Sequence, residues 1–336
     1  MPSVPTCLVP PVPCRAGAFA LVCAMALIGV GSTAPLQAQS WPARSLRLVV
    51  PFPPGGGTDA LARQFGGQLA DALGHPVAID NRAGAGGNVG AEIAAKAPAD
   101  GYTLLFTSNS MVINSALGQK LNYSVATDLA PVALLASSPL VMAVHPALPI
   151  RSVREMMQAA KKRKGGLNFG SNGNGTSSHL AGELLRLSAA TELTHIPYKG
   201  AAPVIAALLG GELDMAFTTL ISAMPHVRAG RLRVLAVTTP KAASALPDAP
   251  PIAATFPGYE IDIWYGMFVP AGVPAPIQER LIAELRKAQA QPATRQAIER
   301  DGAEAVWLAG SEFSAFVRRE LEKYAKIVRL AGVKAD

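Results

Sequence analysis

Short apolar runs alternate with amphipathic helical patterns along most of this chain, and that alternation restricts the fold more than any other feature. The apolar run Leu46–Val50 predicts a strand. Asp59–Leu73 predicts a helix, because leucine or phenylalanine recurs at every fourth position from Leu61 and Gly74 follows the last turn. Strand–helix alternation is typical of α/β folds in which helices cover a mainly parallel sheet.

The same reasoning places the remaining elements. Further strands are predicted at Pro76–Asp80, Tyr102–Thr107, Leu140–Val144, Leu167–Gly170, Thr194–Pro197, Leu213–Phe217, Leu232–Thr238 and Trp264–Val269. Further helices are predicted at Asn88–Ala97, Val153–Lys164, Ser178–Ala190, Pro203–Leu209, Ala223–Ala229, Pro276–Gln291 and Ser311–Ala331.

The pattern breaks near Pro139 and again near Tyr259–Trp264, which predicts two lobes. We expect 39–140 and 262–336 to form lobe one and 141–261 to form lobe two, because the last helices need a sheet to cover. The chain would then cross between the lobes twice, and two crossings make a hinge.

The first 38 residues have the order of a secretory signal peptide. Arg15 precedes the apolar run Ala16–Val30, and small and polar residues follow up to a cleavage site near Ala38. The run is shorter than the roughly 20 residues that span a bilayer, although an uncleaved anchor is the alternative. We therefore expect an exported, periplasmic protein.

The cysteines Cys7, Cys14 and Cys23 all lie in this leader, so the exported chain would have neither a disulfide nor a cysteine metal site. The formal charge of +7 raises the question of nucleic acid. The one dense basic cluster, Lys161–Lys164, lies at a helix end, where cations complement the helix dipole. No basic stripe with interleaved aromatic residues occurs, so we expect no nucleic-acid partner.

Three predicted strand-to-helix junctions are rich in glycine, serine, threonine or asparagine. They are Pro51–Asp59, Thr107–Met111 and Gly170–His179. A helix N-terminus offers unpaired N–H groups and a partial positive charge, and glycine lets the backbone approach a ligand. Such a junction binds a carboxylate or a phosphate without a charged side chain. The structural alternative is that the glycines only form turns and that Thr58 or Asp59 only caps a helix.

The residues that catalysis would need are scattered. The histidines at 75, 145, 179, 195 and 226 form no His-x-x-x-His pair, and no Gly-x-Ser-x-Gly elbow occurs. No phosphate loop or dinucleotide fingerprint is present either. We expect a binding protein with no enzymatic activity, no cofactor and no metal.

From about Trp41 to the C-terminus, the chain resembles the Bug family, the periplasmic receptors of tripartite tricarboxylate transporters. The motifs that carry the resemblance are Pro51–Asp59, Asn81–Gly90, Pro98–Leu105, Gly170–Gly182, Pro197–Pro203 and Gly210–Asp214. Ala83 stands where the family often has proline, and Thr218-Thr219-Leu220 departs from the usual pattern.

The resemblance implies a two-lobed periplasmic binding protein of type II with two strand crossings between the lobes. It implies a small organic acid as ligand: a di- or tricarboxylate, an acidic amino acid or an aromatic acid. The partners it implies are the membrane subunits of such a transporter, and we expect a monomer. Lobe one would contribute Phe52, Pro53, Gly56, Gly57, Thr58, Ser108, Asn109 and Ser110. Lobe two would contribute Ser171, Asn172, Gly175, Thr176, Ser177, Ser178, His179, Tyr198, Ala201 and Asp214, with Asn88 as a weaker candidate near the hinge.

Two other functions compete with this prediction. A binding protein that feeds a sensor would have the same site and would differ only in its membrane partner. A periplasmic hydrolase would use Ser177 or Ser178 with His179.

Overall fold

The computed structural model describes residues 1–3, 5–6, 8–11 and 41–332. The predicted apolar run at 16–30, the cleavage site near position 38 and the three cysteines lie outside the described residues. None of the helices in the described part of the chain combines the length and apolar character needed to cross a bilayer.

Strands and helices follow one another closely from Leu46 onward. The strands are β1 (Leu46–Val50), β2 (Val77–Asn81), β3 (Thr103–Ser108), β4 (Leu129–Val144), β5 (Leu167–Ser171), β6 (Leu193–Pro197), β7 (Met215–Thr219), β8 (Arg233–Val237), β9 (Asp262–Pro270) and β10 (Glu304–Ala309). The helices are α1 (Gly57–Leu73), α2 (Asn88–Ala95), α3 (Ser110–Ala116), α4 (Val153–Lys162), α5 (Ser177–Ser188), α6 (Ala201–Leu209), α7 (Leu220–Arg228), α8 (Ala275–Ala290), α9 (Pro292–Arg300) and α10 (Gly310–Ala331).

The strands form two sheets that share β4. The first sheet has the order β2-β1-β3-β9-β4-β10, and the second has the order β8-β4-β7-β5-β6. Strands β1, β2 and β3 are parallel to one another, as are β5, β6 and β7, whereas β4 is antiparallel to all its partners. Each lobe therefore contains a mixed sheet, and the carboxyl ends of its parallel strands lie at one edge of that sheet.

Strand β4 makes the first crossing between the lobes. Its residues up to Pro139 pair with β9, and those from Leu140 pair with β7. The second crossing lies beside it, where Thr238 Oγ1 accepts from the Leu140 N–H at 2.9 Å and the Thr238 carbonyl accepts from Ile261 N–H at 3.1 Å. The predicted lobe limits at 140/141 and 261/262 stay predictions, and the change of pairing partners at Leu140 supports the first of them.

Each lobe has its own buried aromatic residues. In lobe one, Phe65 of α1 packs on Phe106 of β3 with 6.2 Å between ring centroids. In lobe two, Phe169 of β5 meets Phe217 of β7 edge to face at 6.1 Å. All four side chains are fully buried, and burial of such a ring stabilises the fold by roughly 1.5–3 kcal/mol.

The α/β two-lobed architecture is confirmed, and the predicted elements occur within a few residues of their expected positions. The expectation of a mainly parallel sheet was wrong, because β4 and β9 introduce antiparallel pairs at the centre of the fold. Helix α9, strand β10 and the first half of β4 had not been predicted, and α3 had been expected only as a helix start at the Thr107–Met111 junction, without bounds. Helix α8 packs beside α1, and α10 packs against α3, so the last helices do return to the first sheet.

Candidate ligand-binding site

The loop between β1 and α1 is shaped by Asp59, in the first turn of α1. Its carboxylate accepts from the Gly55 N–H at 3.0 Å, from Arg63 Nε at 2.9 Å and from Asn81 Nδ2 at 2.9 Å. Asn81 Nδ2 also donates to the Phe52 carbonyl at 3.0 Å. Asp59 thus points back into its own loop and fixes the backbone that faces the cleft.

Burial and hydrogen bonding act on Asp59 in opposite directions. Burial raises the pKa of the Asp59 carboxyl, but the hydrogen bonds from Arg63, Gly55 and Asn81 and the charge of Arg63 outweigh it, so the pKa lies below its ordinary value. The carboxylate is therefore ionised near neutral pH, and its negative charge is matched within the loop.

The second loop of lobe one, Ser108–Ser110, is fully buried. Ser108 Oγ lies 3.1 Å from Ser110 Oγ, and one of the two hydroxyls donates to the other. Asn109 Nδ2 donates to the Asp262 carbonyl at 3.1 Å and to the Tyr324 hydroxyl at 2.8 Å. These bonds anchor the start of α3 to β9 and α10.

The facing wall in lobe two is the loop from Asn172 to the start of α5. Thr176 caps α5 by accepting from His179 N–H, and its hydroxyl donates to the Gly173 carbonyl at 2.6 Å. Ser178 Oγ accepts from Asn172 N–H at 2.9 Å. Position 175 requires glycine for two reasons: its φ is +71°, and a Cβ there would overlap the Asn114 side chain of lobe one.

Between these loops lies an inner pocket of about 30 Å³, room for about two water molecules. Four helices of nine or more residues begin at its wall: α1, α5, α6 and α7. Glycine precedes both α1 and α6, so the N-cap residue of neither helix bonds its first N–H groups, although the Gly57 N–H of α1 donates to Ser222 Oγ. Among the described residues that line this pocket, none has an ionisable side chain. The pocket can hold an anion through backbone N–H groups and hydroxyls.

An outer pocket of about 390 Å³ adjoins the inner one. The two share Phe52, Pro53, Asn172 and Gly200 in their walls. The outer pocket is also lined by 83–87 of lobe one and by 197–199 of lobe two, including Lys199. It offers space for the part of a ligand that the inner pocket is too small to hold.

The two lobes touch across the cleft. Ser177 Oγ lies 2.6 Å from Asn109 Oδ1, and Gly57 N–H donates to Ser222 Oγ at 3.0 Å. A Cβ on Gly200 would lie 3.0 Å from Pro53 Cδ of the opposite lobe. The cleft is therefore closed at its inner end.

Most of the residues expected from the sequence come together here. The inner pocket is lined by Phe52, Pro53, Gly56, Gly57, Thr58, Ser108, Ser110, Asn172, Thr176, Ser177, Ser178 and Ala201. Tyr198 lines the outer pocket. Asn109, Ser171, Gly175 and His179 lie behind the walls rather than in them.

Two expected residues lie away from both pockets. Asp214 accepts from Arg163 Nη1 at 2.8 Å and from Asn168 N–H at 2.8 Å, so the structure does not bring it to the site. Asp214 precedes β7, at the opposite end from the strand's ligand-facing end. Asn88 is bonded to Gln119 and Tyr123 within lobe one.

Several lining residues had not been predicted. Pro54, Leu140, Gly200, Ala202, Thr219 and Ile263 line the inner pocket. Leu140 and Ile263 lie at the two crossings, and Thr219 ends β7 and caps α7. Thr219, a threonine between a strand and a helix, carries a signal that sequence reasoning could have used, as do Pro54, Gly200 and Ala202, which lie within motifs already singled out.

Two histidines stack behind the lobe-two loop. The rings of His179 and His195 lie 4.0 Å apart at an angle of 10°. His195 Nε2 lies 2.6 Å from Ser171 Oγ. Burial, and then the neighbouring His179, lower the pKa of His195 to about 3, so its imidazole is neutral near pH 7.

The same contacts bear on the hydrolase alternative. Ser177 Oγ bonds Asn109 and Ser178 Oγ bonds Thr176 and Asn172, while His179 Nδ1 accepts from Gly175 N–H at 3.3 Å. Each of these groups thus has a structural partner. No cluster of three or more histidine, cysteine, aspartate or glutamate side chains suited to a metal ion occurs within the described part of the chain.

The chain is similar to known proteins along most of its length. The family model for the tripartite tricarboxylate transporter family receptor matches residues 61–333. BugT of Bordetella pertussis is 34% identical over 318 residues, which cover 92% of this chain and 98% of BugT. A protein from the tcbD-tcbE intergenic region of Pseudomonas sp. strain P51 is 37% identical over 299 residues, 88% of this chain and 89% of its own.

Solved structures are similar over the same length. An R. palustris protein solved with adipate has a TM-score of 0.85 and 34% identity, with 88% of this chain and 99% of that chain covered. MatC from Rhodopseudomonas palustris, solved with bound malate, has a TM-score of 0.81 and 30% identity, with 86% and 100% covered.

Proposed function

This chain belongs to the tripartite tricarboxylate transporter receptor family, and on that premise we propose that it captures a small organic carboxylate between its lobes and delivers it to the membrane subunits of such a transporter. The family is one of solute-binding receptors, and the proposal specifies the solute, the partner and the periplasm as the place of capture.

The observation that carries the proposal is the inner pocket itself. It lacks ionisable side chains in its wall, yet four helix N-termini meet there, two of them preceded by glycine. Aligned peptide dipoles and N–H groups favour an anion, and a carboxylate is an anion small enough for a pocket of about 30 Å³.

The ligand class follows from the two pockets together. One carboxylate occupies the inner pocket, and the remainder of the acid extends past Pro53 and Gly200 into the outer pocket. Two similar proteins were solved with the dicarboxylates adipate and malate. We therefore place a di- or tricarboxylate first, with an acidic amino acid or an aromatic acid as further members of the class.

Capture proceeds by closure of the lobes about the two crossings at Leu140 and Thr238. A ligand favours the closed form only through contacts that the open form lacks. A carboxylate that touches α1 of lobe one and α5 of lobe two makes such contacts, since the two helix starts approach only when the cleft is shut.

Calorimetric titration tests the proposal. The protein is unfolded, dialysed and refolded to remove any ligand carried through purification, then titrated with adipate, malate, glutamate and benzoate. At least one acid is expected to bind at a single site, while adipamide, the uncharged analogue of adipate, is expected not to bind. Failure of every carboxylate to bind the refolded protein would overturn the proposal.

A further inference from the structure

A buried hydrogen bond crosses the cleft beside the inner pocket. Ser177, the first residue of α5, lies 2.6 Å through its Oγ from Oδ1 of Asn109, the residue before α3. Asn109 is 0% exposed and Ser177 is 1% exposed. Because the two residues belong to opposite lobes, this bond exists only while the cleft is closed.

The Asn109 amide is held in one orientation from behind. Its nitrogen lies 3.1 Å from the Asp262 carbonyl and 2.8 Å from the Tyr324 hydroxyl. A backbone carbonyl only accepts, so the NH₂ edge of the amide must face Asp262. The amide oxygen must therefore face lobe two.

This orientation decides how the Ser177 hydroxyl is used. An amide oxygen only accepts, so Ser177 donates its single proton to Asn109. The protons of the two neighbouring hydroxyls are assigned in the same way. Thr176 donates to the Gly173 carbonyl, so Ser178, whose Oγ lies 2.9 Å from Thr176 Oγ1, donates to Thr176. None of these three hydroxyls has a proton left for a bound carboxylate, so α5 offers a ligand its backbone N–H groups.

We propose that Asn109 and Ser177 form a latch that holds the lobes together, and that Tyr324 is the positioning residue that aims the Asn109 amide across the cleft. This inference rests on the proposed capture by lobe closure, and it gives Ser177 a role in closure instead of ligand binding. Through Tyr324, the latch also ties the closed state to the C-terminal helix α10.

Tyr324 suits this role by its place in the fold. It is fully buried, it lines neither pocket, and its helix packs against α3. Removing its hydroxyl leaves one NH₂ proton of Asn109 without an acceptor, so only the Asp262 carbonyl still holds the amide and its alignment with Ser177 is less strictly fixed. The substitution Tyr324→Phe therefore weakens the latch without touching the ligand pockets.

Interlobe distances measured by double electron–electron resonance test the latch. Spin labels are attached at Asp71→Cys in α1 and Ala206→Cys in α6, both exposed, in a background with Cys7, Cys14 and Cys23 changed to serine. Without added ligand, Ser177→Ala is expected to lower the ratio of closed to open protein about fivefold, the loss of one hydrogen bond. Tyr324→Phe is expected to lower this ratio less. The double variant with Ser177→Ala and Tyr324→Phe is expected to have the same ratio as Ser177→Ala alone.

Tyr259→Phe is the matched control, because it removes a buried tyrosine hydroxyl that donates to the Ala181 carbonyl at 2.8 Å and has no part in the latch. It is expected to leave the distance distribution unchanged. A distribution in Ser177→Ala identical to that of the parent, or an additive effect of Tyr324→Phe in the double variant, would contradict the latch. Since no ligand is added, this outcome is independent of whether any carboxylate binds in calorimetry.

Discussion

Asp59 sits in the first turn of α1 with its carboxylate turned toward the loop before the helix. The glycines of that loop have little conformational preference of their own, so its shape depends on the bonds from Gly55, Asn81 and Arg63 to this one side chain. In Asp59→Asn, one carboxylate oxygen becomes an NH₂ that faces donors. We expect a loss of about 2 kcal/mol in the free energy of unfolding at pH 7, as for hydrogen bonds to a charged group, measured by urea denaturation.

The lowered pKa of Asp59 sets the pH dependence of that loss. The stabilisation is present above the ordinary carboxyl pKa of about 4 and disappears as the pH falls through the lower pKa of the folded state. The difference between the parent and Asp59→Asn should therefore shrink in acid. Asp71→Asn, an exposed acid on the same helix, is the control, and an equal loss there would contradict the role given to Asp59.

His195 gives a second prediction at this scale. Its pKa of about 3 in the folded protein lies below the ordinary value of 6.5, so the unfolded chain binds a proton first as the pH falls. The protein should lose stability between about pH 6.5 and pH 3, and His195→Gln should reduce that loss. Urea denaturation across this pH range measures the free energy of unfolding, with His75→Gln as control. If that free energy falls with pH as steeply in His195→Gln as in the parent, His195 is not the group responsible for the loss.

Residue types were predictable from the sequence, but the directions of their side chains were not. For Thr58 and Asp59, a helix cap and a ligand contact were open alternatives, since both call for the same residue types. Asp214 is the last residue of the motif Gly210–Asp214, yet it bonds Arg163 and Asn168. Adjacency along the chain does not specify which end of a strand faces the cleft.

Two glycines of helix α1, Gly57 and Gly67, allow the effect of a substitution on lobe closure to be distinguished from its effect on helix stability. A Cβ on Gly57 would lie 3.0 Å from Tyr265 Oη, 3.1 Å from Thr219 Oγ1 and 3.3 Å from Ile221 Cβ, and the last two belong to lobe two. Gly57→Ala should therefore oppose closure and weaken carboxylate binding at least tenfold, an energy of about 1.4 kcal/mol, measured by calorimetry.

Gly67→Ala is the matched substitution on the same helix. A Cβ there would meet nothing within 4 Å, and alanine favours a helix over glycine by roughly 0.5–1 kcal/mol. This variant should unfold at a higher temperature and bind as the parent does. Equal binding by Gly57→Ala and Gly67→Ala would show that the start of α1 does not approach lobe two.

The elements that sequence reasoning missed share a physical cause. Strand β4 runs through both sheets. Its first half carries Pro131 and is otherwise a run of apolar residues without the alternation of a strand that buries one face, so only its partners β9 and β10 identify it as a strand. Strand β10 is only partly buried and irregular, with a shift of register between Ala305 and Leu308. Local periodicity predicts elements that bury one face, whereas these two depend on neighbours distant in sequence.

At the scale of the whole molecule, the site exists only where two lobes meet. The loops were predictable one by one, but Leu140, Thr219 and Ile263 enter the pocket through the crossings and the second sheet.

A ligand that binds the closed protein must also stabilise the fold. At a hundred times its Kd, a carboxylate should add about 2.7 kcal/mol to the free energy of unfolding, measured by urea denaturation with and without the acid.

The most direct measurement is the change in backbone amide NMR signals when the refolded protein is titrated with adipate or malate, whichever binds in calorimetry. A carboxylate held by helix N-termini should shift the amide signals of Thr58, Ser177 and Ala201 most strongly, and the corresponding diamide should leave them in place. Shifts centred away from the inner pocket, or equal shifts with the diamide, would contradict the account.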